Sequence, residues 1–290
     1  SNQPTTTFLV TFRQTLKKVQ MKNWILGLAA LAFTLPANAQ ELPQPSPTST
    51  VDQRIGLTDF SITYSRPAAR DRAIFGDLVP YNEVWRTGAN ACVILSASTD
   101  FTMNGNAVSA GEYALFTIPG ATEWTVILST QTDLWGSAGY SQDNDVVRVT
   151  APAANGDFDE SFTIGFKSLS TTGGELVIEW ANTEVSIDLG VDSEGESSKN
   201  VAKALSDAKR AYRNAANYYS GQGDHEKAIT TIEIALQLDP EYWYTNWVKA
   251  KILYAAGDTK AALKQGKKAM DMGAPDSYRA GYEKEMKGWK

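Results

Sequence analysis

Ser161-Phe162-Thr163-Ile164-Gly165-Phe166-Lys167 and Glu175-Leu176-Val177-Ile178-Glu179-Trp180 decide the first half of the fold. In the first stretch Phe162, Ile164 and Phe166 alternate with Thr163, Gly165 and Lys167. In the second, Leu176, Ile178 and Trp180 alternate with Glu175, Val177 and Glu179. A period of two sends successive side chains to opposite faces of an extended chain, so each stretch is a strand with one face for a core and the other largely for water. Other strands are expected over 60–64, 92–97, 112–118, 123–128, 146–150 and 184–189, where β-branched and aromatic residues run between turn residues. Asn104-Gly105, between Phe101-Thr102-Met103 and Ala107-Val108, suits a two-residue hairpin whose turn residues both need positive φ. Many strands, short polar turns and no long helix between them predict an antiparallel β-sandwich or barrel over residues 51–190, with the sandwich preferred.

The period then changes. Gly223-Asp224 returns as Gly257-Asp258, and the same 34-residue interval separates Ala228 from Ala262 and Ala235 from Ala269. That is the length of a tetratricopeptide helical hairpin, in which small residues let two helices approach and a glycine ends one before the next begins. Helices are expected over 201–220, 225–238, 242–256, 260–272 and 276–289, the last capping the stack with Tyr278, Tyr282, Met286 and Trp289. The Ser, Gly and Glu-rich stretch at 191–200 reads as a linker. The expected fold class is therefore multidomain, all-β and then all-α: a β-sandwich followed by tetratricopeptide-like hairpins over 201–290. Such hairpins usually hold a protein or peptide. Tyr219, Trp243, Trp247 and Lys251 are the candidate partner-facing residues, with core packing the alternative for each aromatic.

Nearer the start, Met21-Lys22-Asn23-Trp24 leads into an apolar run from 25 to 35 and then Pro36-Ala37-Asn38-Ala39. This reads as a secretory signal peptide over 21–39, too short to span a bilayer, with 1–20 a segment of doubtful origin upstream of the true start. Pro43, Pro45 and Pro47 make 40–50 an extended leader that resists helix and sheet. The single cysteine, Cys92, is far from the cleavage point and sits in an apolar run, so neither a lipid anchor nor an internal disulfide is expected. A soluble exported protein, periplasmic or secreted, follows. Residues 40–198 hold seven basic and 22 acidic side chains, while 199–290 hold sixteen and eleven. The acidic half disfavours nucleic acid, and the opposite signs allow the two halves to attract each other.

Four of those seven basic residues, Arg66, Arg70, Arg72 and Arg86, fall between the first two expected strands. Guanidinium groups offer paired donors to a carboxylate or phosphate, and loops on a rigid sheet are where such groups usually act. Arg66, Arg72, Trp85, Arg86 and Asn90 are the candidate ligand-binding set, for an anionic or carbohydrate ligand. The competing reading pairs the arginines with Asp71, Asp77 and Glu83 to hold the loop down. Trp135-Gly136-Ser137-Ala138-Gly139-Tyr140 is a second candidate surface, with Trp135 and Tyr140 either stacking on a ligand or covering the core. His225 is the only histidine, so neither a Ser-His-Asp triad nor a multi-histidine metal site can be built, and no cofactor or metal is expected. A glycan hydrolase with paired carboxylates near Asp77 and Glu83 is the enzymatic alternative, and a purely structural interaction protein is the third.

Tyr64-Ser65-Arg66-Pro67, Ile74-Phe75-Gly76 with Leu78-Val79-Pro80-Tyr81, Val84-Trp85-Arg86-Thr87-Gly88-Ala89-Asn90, the run Ala110-Gly111-Glu112-Tyr113-Ala114-Leu115-Phe116-Thr117-Ile118-Pro119, Trp124-Thr125-Val126-Ile127 and Trp135-Gly136 together are specific. On them the chain resembles the bacterial family that carries the domain of unknown function 2911, over about 51–189. Family members often append a tetratricopeptide-like tail and are found mostly in exported proteins of Bacteroidetes-type bacteria. The resemblance implies those properties and no activity. It departs at Arg70-Asp71-Arg72, where family members often carry a Gly-Arg or Lys-Gly-Arg step, so it does not extend to Arg70.

Overall fold

The structure is a computed structural model that describes residues 42–289; the expected signal peptide, the stretch before it and residues 40–41 of the leader lie outside the described residues. Nine strands run β1 (Thr48–Ile55), β2 (Thr58–Ser65), β3 (Val93–Ala97), β4 (Phe101–Met103), β5 (Asn106–Val108), β6 (Gly111–Ile118), β7 (Glu123–Ser129), β8 (Asp145–Lys167) and β9 (Gly173–Val191). They pair antiparallel in the order β1-β2-β3-β6-β7-β8-β9-β4-β5. The strand β8 belongs to both layers: its first part, through Pro152, pairs with β7, and from Ala153 on it pairs with β9. Its ladder slips between Asn155 and Asp159 and again between Asp159 and Thr163. Bulges of this kind bend and twist a strand, and the bend lets one sheet fold over on itself. The expected strands 146–150 and 161–166 are thus one strand, as are 175–180 and 184–189.

The core between the layers draws Phe60, Ile62, Leu95, Leu115 and Val126 from one side and Phe162, Ile164, Leu176, Ile178 and Trp180 from the other. These include the alternating apolar positions that the sequence pattern picks out. The strand β6 does not alternate, because its outer face is covered too: Ala114 and Phe116 join Cys92 and Ile127 in a second small core under Leu134 and Tyr140. At the other edge, β1 begins at Thr48, so the last three residues of the expected leader are strand, paired with Thr63, Tyr64 and Ser65. Its exposed face carries Thr48, Thr50, Asp52 and Arg54, which leaves too little apolar alternation to read. The Asn104-Gly105 turn is as expected, at φ 46° and 78°, with Met103 opposite Asn106. The Asn104 side chain also donates to the Thr150 carbonyl at 2.9 Å and accepts from the Asp188 amide at 2.8 Å, tying the hairpin to β8 and β9.

Five helices follow: α1 (Ser193–Gly221), α2 (His225–Leu238), α3 (Trp243–Ala255), α4 (Thr259–Asp271) and α5 (Asp276–Lys287). The expected linker is the end of β9 and the first turns of α1. Asp192 makes the difference, because its carboxylate accepts from the Gly195 amide at 2.8 Å and Glu194 and Glu196 occupy the first turn, both favourable at a helix N-terminus. The 34-residue echo is a repeated stop and start. Gly223 and Gly257 take φ of 82° and 88°, and the next residues, Asp224 and Asp258, cap α2 and α4 through the amides of Lys227 and Ala261. Ala228, Ala235, Ala262 and Ala269 are fully buried where the helices cross.

Two helical cores result, one around Ala216, Ile232, Val248 and Ile252 and one around Trp247, Ala262, Met270, Met286 and Trp289. Neither shares a residue with the β core. Trp247 is 1% exposed and stacks on Tyr282 at 4.1 Å and on Trp289 at 5.4 Å, so α5 is held by aromatic faces. Truncating a buried tryptophan costs about 3–5 kcal/mol. Trp247→Ala is therefore expected to lower the helical unfolding midpoint in urea, followed by circular dichroism at 222 nm, while the β-domain transition stays in place.

Candidate functional site

Between β2 and β3 the chain makes a long connection that is stitched to the sandwich at several points. Ala68 bridges Ser161, Trp85 bridges Thr117, and the Asn82 amide donates to the Pro119 carbonyl at 2.7 Å. The Trp85 ring enters the core, stacked on Trp180 at 6.0 Å and edge-on to Phe162 at 5.4 Å, with Phe75 and Trp124 alongside. The backbone is contorted. Five of the eight non-glycine residues with positive φ among the described residues lie here: Arg70, Asp71, Asn82, Thr87 and Asn90. Thr87 is β-branched, for which φ of 59° is a true outlier. Strain of this kind clusters at binding sites, and the surrounding contacts hold it in place.

This connection shapes a cavity of about 290 Å³. Arg70, Arg72 and Arg86 line it, Trp85 and Trp180 contribute ring surface, and Pro67, Ala68, Leu78, Val79, Gly88 and Ala89 supply apolar or backbone wall. Its lining contains no carboxylate. Among the described residues no acid forms an ion pair with Arg66, Arg72 or Arg86. Arg72 donates through Nε to the Ala69 carbonyl at 2.9 Å and through Nη2 to the Ala68 carbonyl at 2.6 Å, which fixes two of its five donors. The Nε of Arg86 is buried and has no hydrogen-bond partner. A buried donor left unmade costs about 1–3 kcal/mol. Larger hollows of about 500 and 620 Å³ have Asp100 and Asp192, or Asp52 and Asp59, in their walls and suit an anion poorly.

The other candidates divide. Arg66 donates to the Phe162 carbonyl at 2.9 Å and to Thr163 Oγ1 at 2.7 Å, so it anchors the root of the connection to β8. Asn90 donates to the Ser46 carbonyl and to Ser65 Oγ and is likewise an anchor. Tyr140 packs on Phe116 at 5.2 Å, donates to Asp145 Oδ2 at 2.7 Å and accepts from Arg148 at 3.3 Å. It closes the outer core and is no free platform. Trp135 is 73% exposed, and the next residue, Gly136, lies against Arg86, whose Nη1 is 3.3 Å from the place a Cβ would take there. Arg70 and Trp180 line the cavity though the sequence reading omits them; the density of arginine in the connection was the available signal for Arg70. Trp180 is legible only as core. Asp77 and Glu83 are exposed and outside the cavity lining.

On the helices, Trp247 is interior and Tyr219 is half-buried beneath the Lys227 ammonium at 4.2 Å. Trp243 is half-buried beside Tyr244 and Tyr278. Lys251 is half-buried on α3, and its neighbour two residues back, Lys249, pairs with Glu233. Among the described residues of the helices, Tyr212, Tyr218, Tyr254 and Tyr278 are the aromatic residues exposed to solvent.

Residues 46–189 match the model of the family described as "Protein of unknown function (DUF2911)". The β half of the chain is thus similar to that family over nearly its whole length. The arginine connection and every residue of the cavity lie inside the matched range, and the five helices lie outside it. No curated protein matches the chain.

Two consequences are measurable. Gly88 has φ of 148°, and a Cβ there would stand 2.9 Å from the Ser65 carbonyl oxygen. Gly88→Ala is expected to cost about 1–3 kcal/mol, read as a lower thermal midpoint. The Tyr140 hydroxyl is pushed up to about 12 by burial, then by its hydrogen bond to Asp145 and that group's charge, against the weaker opposing pull of Arg148. A folded value above the unfolded one means its contribution is complete below about pH 10 and is lost as pH rises toward 12. In urea titrations across that window, Tyr140→Phe is expected to lose less stability than the wild type.

Proposed function

We propose that this is an exported, non-enzymatic binding protein: its DUF2911 domain takes an anionic ligand in the arginine-lined cavity, and its tetratricopeptide-like hairpins dock a protein partner. One observation carries the reading. Arg70, Arg72 and Arg86, three of only seven cations in a segment with 22 acids, converge on one cavity without a carboxylate in its wall. Like charges gathered in this way repel one another, and a bound anion offsets that repulsion. Paired N–H groups then give a carboxylate or phosphate a directed contact.

Export is supported by the signal-like pattern over 21–39 and by the family resemblance, which points to the envelope of Bacteroidetes-type bacteria. Among the described residues no helix is long and apolar enough to cross a membrane. The 34-residue period and the exposed tyrosines support a partner-docking helical half. Paired-carboxylate hydrolysis has no such support, since Asp77 and Glu83 stand outside the cavity lining.

Calorimetric titration of the full chain with acetate and inorganic phosphate tests the anion site. Each charge-assisted hydrogen bond is worth about 1.5–3 kcal/mol, so Arg72→Ala and Arg86→Gln are each expected to weaken binding about 10- to 100-fold. Failure of the wild type to bind either anion, or unchanged affinity in both variants, overturns the reading.

A further inference from the structure

We propose that two copies of this chain associate edge to edge through β1, pairing antiparallel about a two-fold axis at Gln53 so that Asp52 of each copy faces Arg54 of the other. The strand shares no residue with the lining of the arginine cavity, so the inference does not depend on what that cavity binds.

A strand at the end of a sheet carries a row of main-chain donors and acceptors with nothing to bond, and natural sheets shorten, cover or break such edges. Two edges of this sandwich are treated in that way. At one end of the strand order β5 has three residues, and Asn104 pins its hairpin to β8 and β9. The part of β8 that pairs with β9 is stitched along its other side. There the Ala69 amide donates to the Glu160 carbonyl at 2.7 Å and the Phe162 amide to the Pro67 carbonyl at 2.9 Å, while the carbonyls of Phe162 and Ile164 accept from Arg66 and from the Tyr64 hydroxyl. The strand β1 is the exception. It runs for eight residues at the opposite end of the order, without proline or bulge. Among the described residues no main-chain hydrogen bond outside its ladder with β2 reaches 48–55.

Register fixes what this edge offers. Ile55 and Thr58 flank a two-residue turn and bond to each other, and hydrogen-bonded pairs then alternate back along the ladder. The main-chain groups of Thr48, Thr50, Asp52 and Arg54 therefore point outward. The Gln53 side-chain amide donates to the Arg54 carbonyl at 2.9 Å, a local donor for an acceptor that no strand satisfies.

Charge decides the occupant. With the axis at Gln53, outward main-chain groups meet outward main-chain groups, and Asp52 and Arg54 face each other twice on the exposed side. On the other side Val51, half-buried at the margin of the core, comes opposite Ile55 of the second copy. Moving the axis one residue, to Asp52 or to Arg54, sets like charges directly opposite, which is destabilising. Asp52 forms no ion pair among the described residues. Arg54 pairs with Asp59 at 3.5 Å with both side chains mostly exposed, and such a pair contributes little. A ladder this short buries little area, so the dimer is weak and grows with concentration.

The test is sedimentation velocity of the full chain from about 10 μM to about 1 mM, where a monomer–dimer equilibrium is expected. Reversing one charge, in Asp52→Arg or in Arg54→Asp, sets like charges opposite each other at both places and is expected to weaken the dimer about tenfold. Both side chains are exposed, so the variants keep the circular dichroism spectrum of the wild type. Combining Asp52→Arg with Arg54→Asp restores opposite charges and is expected to return the affinity to that of the wild type. A chain that stays monomeric throughout overturns the proposal and leaves the edge to an extended segment of another protein. A dimer that neither single reversal weakens forms through another surface, and a double variant no tighter than the single ones has another register; either result overturns the pairing.

Discussion

Five aromatic rings, those of Phe75, Trp85, Trp124, Phe162 and Trp180, meet where the connection between β2 and β3 crosses the sandwich, with centroids 4.8–6.1 Å apart in mostly edge-to-face arrangements. Such pairs contribute about 0.5–1.5 kcal/mol each beyond the area they bury. Trp85 and Phe75 come from the connection, while Trp124, Phe162 and Trp180 come from β7, β8 and β9. The cluster is therefore the point at which an irregular segment becomes part of the core. It holds five strained backbone positions in place, and its upper edge supplies ring surface to the cavity. A cavity walled by loop residues acquires the rigidity of a sheet in this way.

Electrostatics follows from that anchoring. Arg66, Arg72 and Arg86 of the connection lie in an acidic segment, yet among the described residues none of them forms an ion pair with a carboxylate. Held by the rings and by main-chain bonds, they are assigned different tasks. Arg66 ties the loop root to β8 through neutral acceptors, and Arg72 braces its own turn through two carbonyls. Arg86 keeps a buried Nε without a partner. Carbonyl acceptors orient a guanidinium without cancelling its charge, which keeps the cavity positive.

The helical half is organised by another device. An aspartate after a left-handed glycine caps each repeat's second helix, and alanines at the crossings let the helices close up. Aromatic stacking of Trp247 with Tyr282 and Trp289 then joins α5 to α3. Its cores share no residue with the β core, so each half buries its own apolar surface.

Local rules carried the sequence reading a long way. Alternation at Phe162–Phe166 and Leu176–Trp180 placed two strands and their inward faces, Asn104-Gly105 placed a hairpin, and the Gly-Asp echo placed the helix breaks, because each depends on neighbours a few residues apart. Tertiary structure decided the rest. Whether Arg66 or Arg86 faces a ligand depends on which carbonyl of β8 comes within reach, and whether Trp247 meets a partner or lies inside depends on α5 folding back over it. The merging of four expected strands into β8 and β9, and the entry of Arg70 and Trp180 into the cavity wall, depend on bulges and on packing between residues about a hundred positions apart. Residue identity determines period, turn and charge; which of those charges is left without a partner is set only when distant parts of the chain compete for it in space.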